Sequence, residues 1–133
     1  MPEQNVNIQT IENGRAAFAF NAVKEYVDKH SSESDFNSNF KSYIKKMPAM
    51  IHVNGLGQTL AFYYSKRTTK AYGAIYKMIG DYLKTKFDSA TKYTELIDWV
   101  VNLQSPEYRL ATNETMALLD WMRKFVSGLV TED

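Results

Sequence analysis

Apolar side chains recur every three to four positions along almost the whole chain, and this period restricts the fold more than any other feature. Alternating apolar and polar runs, which would indicate strands, are scarce. The pattern predicts helices over residues 8–27, 36–46 and 68–87, a short helix near 96–103 and a last helix over 112–129. In the 68–87 helix we expect Ile75, Ile79 and Leu83 to face inward, and Ser105-Pro106 suits the start of a further helix. We therefore expect an all-α protein, a single compact bundle of five to six helices.

The length of 133 residues suits one domain, so we expect a single helical domain over residues 1–133. The chain has no cysteine, which excludes disulfides, thiolate zinc sites and cysteine nucleophiles. Its first residues, MPEQNVNIQT, lack the basic and apolar regions of a signal peptide, and no window is apolar enough to span a membrane. These features predict a cytoplasmic protein with no membrane partner.

The stretch PAMIHVNGLGQTLAFYYSKR, residues 48–67, places glycines inside an apolar run. Asn54-Gly55 favours a hairpin turn, whereas Pro48 suits a helix start. Three apolar side chains fall at helical spacing, and we expect them to be buried: Val53, Leu56 and Leu60. We expect a break near Met47 and a helix that begins at Pro48, with a hairpin as the alternative.

The two glycines of this stretch need an explanation, since a glycine inside a helix costs about 1 kcal/mol relative to alanine. A phosphate-binding loop is not supported, because NGLGQT follows no predicted strand and lacks the lysine of such loops. We expect Gly57 to admit a neighbouring helix. For Gly55, close approach of a helix and close approach of a ligand backbone both stay open.

Catalytic and metal-binding patterns are missing from the sequence. His30 and His52 have no partners at metal-ligand spacing, and no serine lies in a nucleophile-elbow context. Asp81 lies among lysines, and we expect an ion pair with Lys77 or Lys84. The sequence therefore predicts a protein that is not an enzyme and that has no catalytic residues, no metal ligands and no cofactor.

Charge is divided unevenly along the chain. Residues 36–92 carry ten basic side chains and two acidic ones, whereas the flanks carry six basic and thirteen acidic ones. Four lysines fall at helical spacing and should form one stripe on the surface: Lys66, Lys70, Lys77 and Lys84. A further basic pair at helical spacing consists of Lys41 and Lys45. Such a surface indicates a polyanionic partner bound through phosphates, the alternatives being a solvated face and an adaptor that docks an acidic protein.

Three blocks of the sequence resemble the small all-helical subunit of type III-B CRISPR effector (Cmr) complexes, the fifth subunit of that assembly. The blocks are RAAFAFNAV, MPAMIHVNGLGQTLAFYYSK and YRLATNETMALLDWMRKF. The resemblance implies a non-catalytic subunit of antiviral defence that binds guide RNA and target RNA. It also implies partners in other copies of itself, stacked in a filament, and in the backbone and large subunits of the complex.

The candidate RNA-binding residues have two origins. The resemblance nominates Arg15 and Lys66, which match its motif positions. Charge geometry nominates the others, which are Lys41, Lys45, Arg67, Lys70 and Lys77. Four further residues of the last block are expected to be structural, for example through an Arg109–Glu114 pair or a buried Trp121; they are Tyr108, Arg109, Glu114 and Trp121.

Overall fold

The computed structural model describes residues 8–131, in which six α-helices confirm the all-α bundle. In chain order they are α1 (Ile8–Lys29), α2 (Ser34–Asn54), α3 (Leu56–Ser65), α4 (Lys70–Lys86), α5 (Leu96–Val101) and α6 (Ser105–Leu129). A 3₁₀ helix, Asp88–Lys92, follows α4. Within residues 8–131 no strand is assigned, so the hairpin alternative is wrong. Among the described helices, none combines the length and the apolar character that crossing a membrane requires.

Helix α4 is the most buried element of the bundle. Ten of its 17 residues are buried, among them the predicted inward face of Ile75, Ile79 and Leu83. Helices α2 and α3 pack on α4, α1 lies mainly along α6, and α2 also contacts α6. All six helices contribute to one cluster of buried apolar side chains.

Pro48 lies inside α2, so the prediction of a helix break near Met47 is wrong. A proline within a helix removes one backbone hydrogen bond and costs about 3 kcal/mol. Met47 is fully buried and Ile51 is 4% exposed, and burial of a side chain of this size stabilises by about 1.5–3 kcal/mol. One continuous buried face therefore offsets the cost of the proline.

The helix boundary falls instead at Gly55, which has a φ of 89° and a ψ of 162°. This backbone conformation is almost restricted to glycine, because a Cβ would clash with the backbone. The N–H of Gly55 donates to the carbonyl of Ile51 (2.8 Å), and its own carbonyl accepts from the N–H of Thr59 (3.2 Å). A single residue therefore ends α2 and begins α3.

The junction also corrects one predicted core position. Val53 is 78% exposed, whereas Leu56 and Leu60 are fully buried as predicted. The expectation treated these residues as one helix, but the junction separates the rotational phase of α2 from that of α3. Ile51, rather than Val53, therefore faces the core at the end of α2.

Tyr108 of α6 packs against this junction. Its hydroxyl oxygen accepts a hydrogen bond from the N–H of Gly57 (2.8 Å). A Cβ would lie 3.3 Å from that oxygen at Gly55 and 3.5 Å at Gly57. A Cβ at Gly55 would thus be crowded by α6, whereas one at Gly57 would make an ordinary contact, so the packing of α6 does not require a glycine at residue 57.

The last helix begins where Ser105 and Pro106 predict a helix start, and it continues without a break to Leu129. Proline is favoured in a first turn because its missing N–H has no partner there in any case. The two expected segments, at Ser105 and at 112–129, are thus one 25-residue helix.

We predict that Gly55→Ala lowers the free energy of unfolding by about 1–3 kcal/mol, because alanine must adopt a conformation that nearly excludes a Cβ. Urea denaturation monitored by circular dichroism measures this loss. The matched control is Gly14→Ala within α1, where a Cβ meets nothing within 4 Å; it should stabilise by up to about 1 kcal/mol. Equal effects of the two substitutions would contradict the conformational requirement at Gly55.

Candidate nucleic-acid interface

The uneven charge of the sequence becomes an uneven charge of the folded surface. Residues 36–92, with their excess of basic side chains, form most of α2 together with α3, α4 and the 3₁₀ helix, and these helices pack on one another. The flanks form α1, α5 and α6; α1 and α6, which lie side by side, each carry three basic and three acidic side chains. The bundle therefore has a basic part and a part in which the charges nearly balance.

The strongest concentration of exposed cations is the link between α3 and α4. Lys66, Arg67 and Lys70, which we call the basic turn, are all exposed. The expected continuous lysine stripe is interrupted here, because α3 ends at Ser65 and α4 begins at Lys70. The link is nonetheless ordered by backbone hydrogen bonds, including one from the N–H of Thr69 to the carbonyl of Lys66 (2.9 Å).

Gly73 holds this link close to α4. A Cβ on Gly73 would lie only 2.6 Å from the carbonyl oxygen of Arg67, closer than any ordinary contact. The N–H of Gly73 also donates to the carbonyl of Thr69 (3.1 Å). The lack of a side chain at residue 73 thus allows the backbone of the basic turn to pack directly on the helix.

Lys46 of α2 extends the basic turn, and the sequence reasoning did not nominate it. Its Nζ lies 5.6 Å from the centre of the Phe62 ring, and the Nζ of Lys66 lies 5.8 Å from the same ring. The Lys46 ammonium also donates to the hydroxyl of Tyr72 (2.6 Å) and lies 4.7 Å from the ring of Tyr43. The three-residue spacing of Tyr43 and Lys46 on one helix is the sequence signal that could have indicated this contact.

Two of the three other nominated lysines have partners within the protein. Lys41 is half-buried and donates to the carbonyl of Val130 (3.0 Å), whereas Lys45 is exposed. Lys77 pairs with Asp81 (2.9 Å), which confirms one of the two expected ion pairs. The hydrogen bond to Asp81 raises the pKa of Lys77. RNA contact by these lysines stays a prediction.

Arg15 belongs to a polar network between α1, α4 and α6. Its guanidinium donates to the carboxylate of Glu114 (3.0 and 3.3 Å) and to Glu12 (2.9 Å), and the Tyr82 hydroxyl donates to Glu114 (2.8 Å). The side chain of Arg15 is only 16% exposed. Glu114 thus pairs with Arg15 rather than with Arg109, and RNA contact by Arg15 stays a prediction.

The network sets the ionisation of Glu114. Partial burial by itself would raise the pKa of this carboxyl group, but the hydrogen bonds from Arg15 and Tyr82 and the charge of Arg15 lower it below the ordinary value of 4.5. Trp121 is half-buried and joins the same network through Glu12, because its indole N–H donates to the Glu12 carboxylate (2.8 Å). Glu114 and Trp121 therefore connect α6 to the rest of the bundle, as expected for structural residues.

These features define the class of the protein as an all-helical bundle with a basic surface. A family model described as CRISPR-associated protein (Cas_Cmr5) matches residues 11–129, which is most of the chain. The protein belongs to the Cmr5 family, the Cmr5 subunits of type III-B CRISPR effector complexes, and the resemblance drawn from the sequence is confirmed. Membership in this family implies association with other subunits of the Cmr complex.

We predict that Gly73→Ala displaces the basic turn and destabilises the fold by about 1–3 kcal/mol, as an overpacked contact does. Amide chemical shifts of residues 66–69 and urea denaturation measure the two effects. The control in the same helix is Gly80→Ala, whose Cβ would lie 3.6 Å from the side chain of Leu96. That variant should be neutral or more stable, because alanine favours helix; unchanged shifts in Gly73→Ala would contradict the close packing.

We predict that Glu114→Gln lowers the free energy of unfolding by about 1–3 kcal/mol at neutral pH, since hydrogen bonds to a charged group are lost. Because the pKa of Glu114 is lowered in the folded protein, its ionised form stabilises the fold above the unfolded pKa near 4.5. This stabilisation is lost as pH falls from about 4.5 through the lowered pKa of the folded state, so the stabilities of wild type and variant should converge over that range. Urea denaturation across this range measures the difference.

Glu25→Gln is the control for that experiment, because Glu25 lies exposed on α1. It should change the free energy of unfolding by less than about 0.5 kcal/mol at every pH. A difference between wild type and Glu114→Gln that does not vary with pH would contradict the network.

Proposed function

We propose that this protein is a non-catalytic small subunit of a type III-B CRISPR effector complex that holds guide RNA and target RNA by their phosphate backbones. In this proposal, copies of the subunit stack in a filament beside the backbone and large subunits and serve antiviral defence. The observation that carries the proposal is the basic turn, where three exposed cations lie on an ordered link next to Lys46.

The surroundings of the basic turn favour a polyanion. Residues 36–92 contain two acids, and Asp81 pairs with Lys77. Asp88 follows the far end of α4, a helix of 17 residues and hence about 25 Å long. An unpaired cluster of cations binds phosphates through charge and with little dependence on base sequence, which suits a subunit whose complex obtains sequence specificity from a guide strand.

One further observation supports the non-catalytic part of the proposal. The carboxylate with the lowered pKa in the α1–α4–α6 network, Glu114, accepts its hydrogen bonds from Arg15 and Tyr82 inside the fold, which suits a structural role rather than catalysis.

We predict that RNA binding weakens steeply with salt and depends on the basic turn. Fluorescence anisotropy with labelled single-stranded RNA, between about 50 and about 200 mM salt, gives the slope of log affinity against log salt. The double variant Lys66→Glu, Lys70→Glu should bind more weakly, with a slope smaller by about 0.7 for each phosphate that is no longer neutralised. The measurement is made on the free protein and on the assembled complex, because stacking raises a modest affinity through effective concentration.

The charge-matched control is Lys24→Glu, Lys124→Glu, which removes two exposed lysines of α1 and α6. Its net charge equals that of the first variant, so a nonspecific effect of charge would weaken both equally. Equal binding by the two double variants would contradict the assignment of the basic turn. Absence of RNA binding at low salt by both the free protein and the assembled complex would reject the proposal and favour the adaptor that docks an acidic protein.

A further inference from the structure

One cation of the basic turn differs from its neighbours in geometry. The guanidinium carbon of Arg67 lies 3.9 Å from the centre of the Tyr64 ring, so the group rests against the face of that ring. We propose that Arg67, supported by Tyr64, is a stacking platform for an unpaired nucleobase, so that the basic turn selects single-stranded RNA over duplex RNA. This inference rests on the proposed RNA-binding function and adds the class of RNA that the surface prefers.

Contacts restrain both the side chain and the backbone of Arg67. One guanidinium nitrogen, Nη1, donates to the carbonyl of Tyr64 (2.9 Å), and the N–H of Arg67 donates to the same carbonyl (3.1 Å). The carbonyl of Arg67 packs against Gly73, as described above. A long flexible side chain is thereby ordered before any ligand arrives, which reduces the entropy lost on binding.

The aromatic support beneath Arg67 is also anchored. The Tyr64 ring packs on the Tyr76 ring, with ring centres 5.3 Å apart. The hydroxyl of Tyr76 donates to Glu95 (3.0 Å) and accepts from the N–H of Ile97 (3.0 Å). The planes of these two rings are tilted by 47°. Tyr76, Tyr64 and Arg67 therefore form a continuous series of contacts that begins in the interior and ends in an exposed guanidinium.

A guanidinium plane that rests on an aromatic ring can receive a nucleobase on its other side, because arginine stacks on bases as aromatic rings do. The base must be unpaired and turned away from its neighbours, which a duplex does not permit at low cost. Lys66 and Lys70 lie on either side of Arg67 in the chain and can neutralise the adjoining phosphates. Together they provide one base contact between phosphate contacts, as surfaces that bind single strands do.

The other aromatic cluster of this region does not offer such a platform. Tyr43 and Tyr72 already stack on each other, with ring centres 3.8 Å apart, and Tyr72 is only 7% exposed. Lys46 donates to the Tyr72 hydroxyl and is half-buried. The planar surfaces of this cluster are thus occupied within the protein, whereas the guanidinium of Arg67 is exposed to solvent.

The test compares wild type with Arg67→Lys, which keeps the charge but loses the planar group. Three RNAs of equal length serve as probes: a single strand, the same strand with an abasic central run, and the corresponding duplex. Wild type should bind the single strand about tenfold more tightly than the abasic strand, as expected for one stacked base. Arg67→Lys should lose about tenfold on the single strand and bind the abasic strand as wild type does.

Two variants of Tyr64 separate stacking from folding. Tyr64→Phe keeps the ring and should bind all three RNAs as wild type does. Tyr64→Leu removes the ring but keeps Arg67, and it should resemble Arg67→Lys, with circular dichroism and urea denaturation to show that it is folded. If Tyr64→Leu does not fold, the comparison of Arg67→Lys with wild type on the single and abasic strands still decides the matter.

The outcomes distinguish the two proposals. If wild type binds no RNA, free or assembled, the proposed function fails, and the platform fails with it. If wild type binds the single strand, the abasic strand and the duplex equally, or if Arg67→Lys binds the single strand as wild type does, the platform alone is overturned. In that case the basic turn binds only phosphates.

Discussion

The conformation of Gly55 is the constraint on which the arrangement of the basic surface depends. Its positive φ allows α2 to end and α3 to begin within one residue, and the hydroxyl of Tyr108 then holds the first turn of α3 through the N–H of Gly57. The direction of α3 decides where the basic turn leaves the bundle. A change at this junction would therefore alter both the stability of the fold and the position of the cations that follow the ten residues of α3.

Basic side chains serve two purposes in this fold, and burial separates them. Arg15 is largely buried and bonded to carboxylates, because a charge removed from water must be paired. Lys66 and Arg67 stay exposed, so they retain most of their hydration until a ligand arrives. A count of charges along the sequence treats these residues as equal, although desolvation makes their availability to RNA very different.

Several expectations succeeded because they depended on local pattern, and others failed because they depended on neighbours. The inward face of α4 and the pair of Lys77 with Asp81 follow from helical spacing alone. The break expected at Pro48 follows from local preference too, yet the burial of Met47 and Ile51 outweighs it. The roles of Lys46 and Gly73 depend on contacts with α3 and the basic turn, which no helical spacing encodes.

The sequence by itself determined that the protein is an all-helical bundle, that its middle segment is basic and that it resembles the Cmr5 family. These properties depend on residue type and on spacing within single helices, which the order of residues records directly. Only the tertiary structure decided that Gly55 turns the chain, that Arg15 pairs with Glu114 across 99 residues, and that Arg67 rests on Tyr64 beside Gly73. Each of these depends on a distance or backbone angle that forms only when the helices pack together.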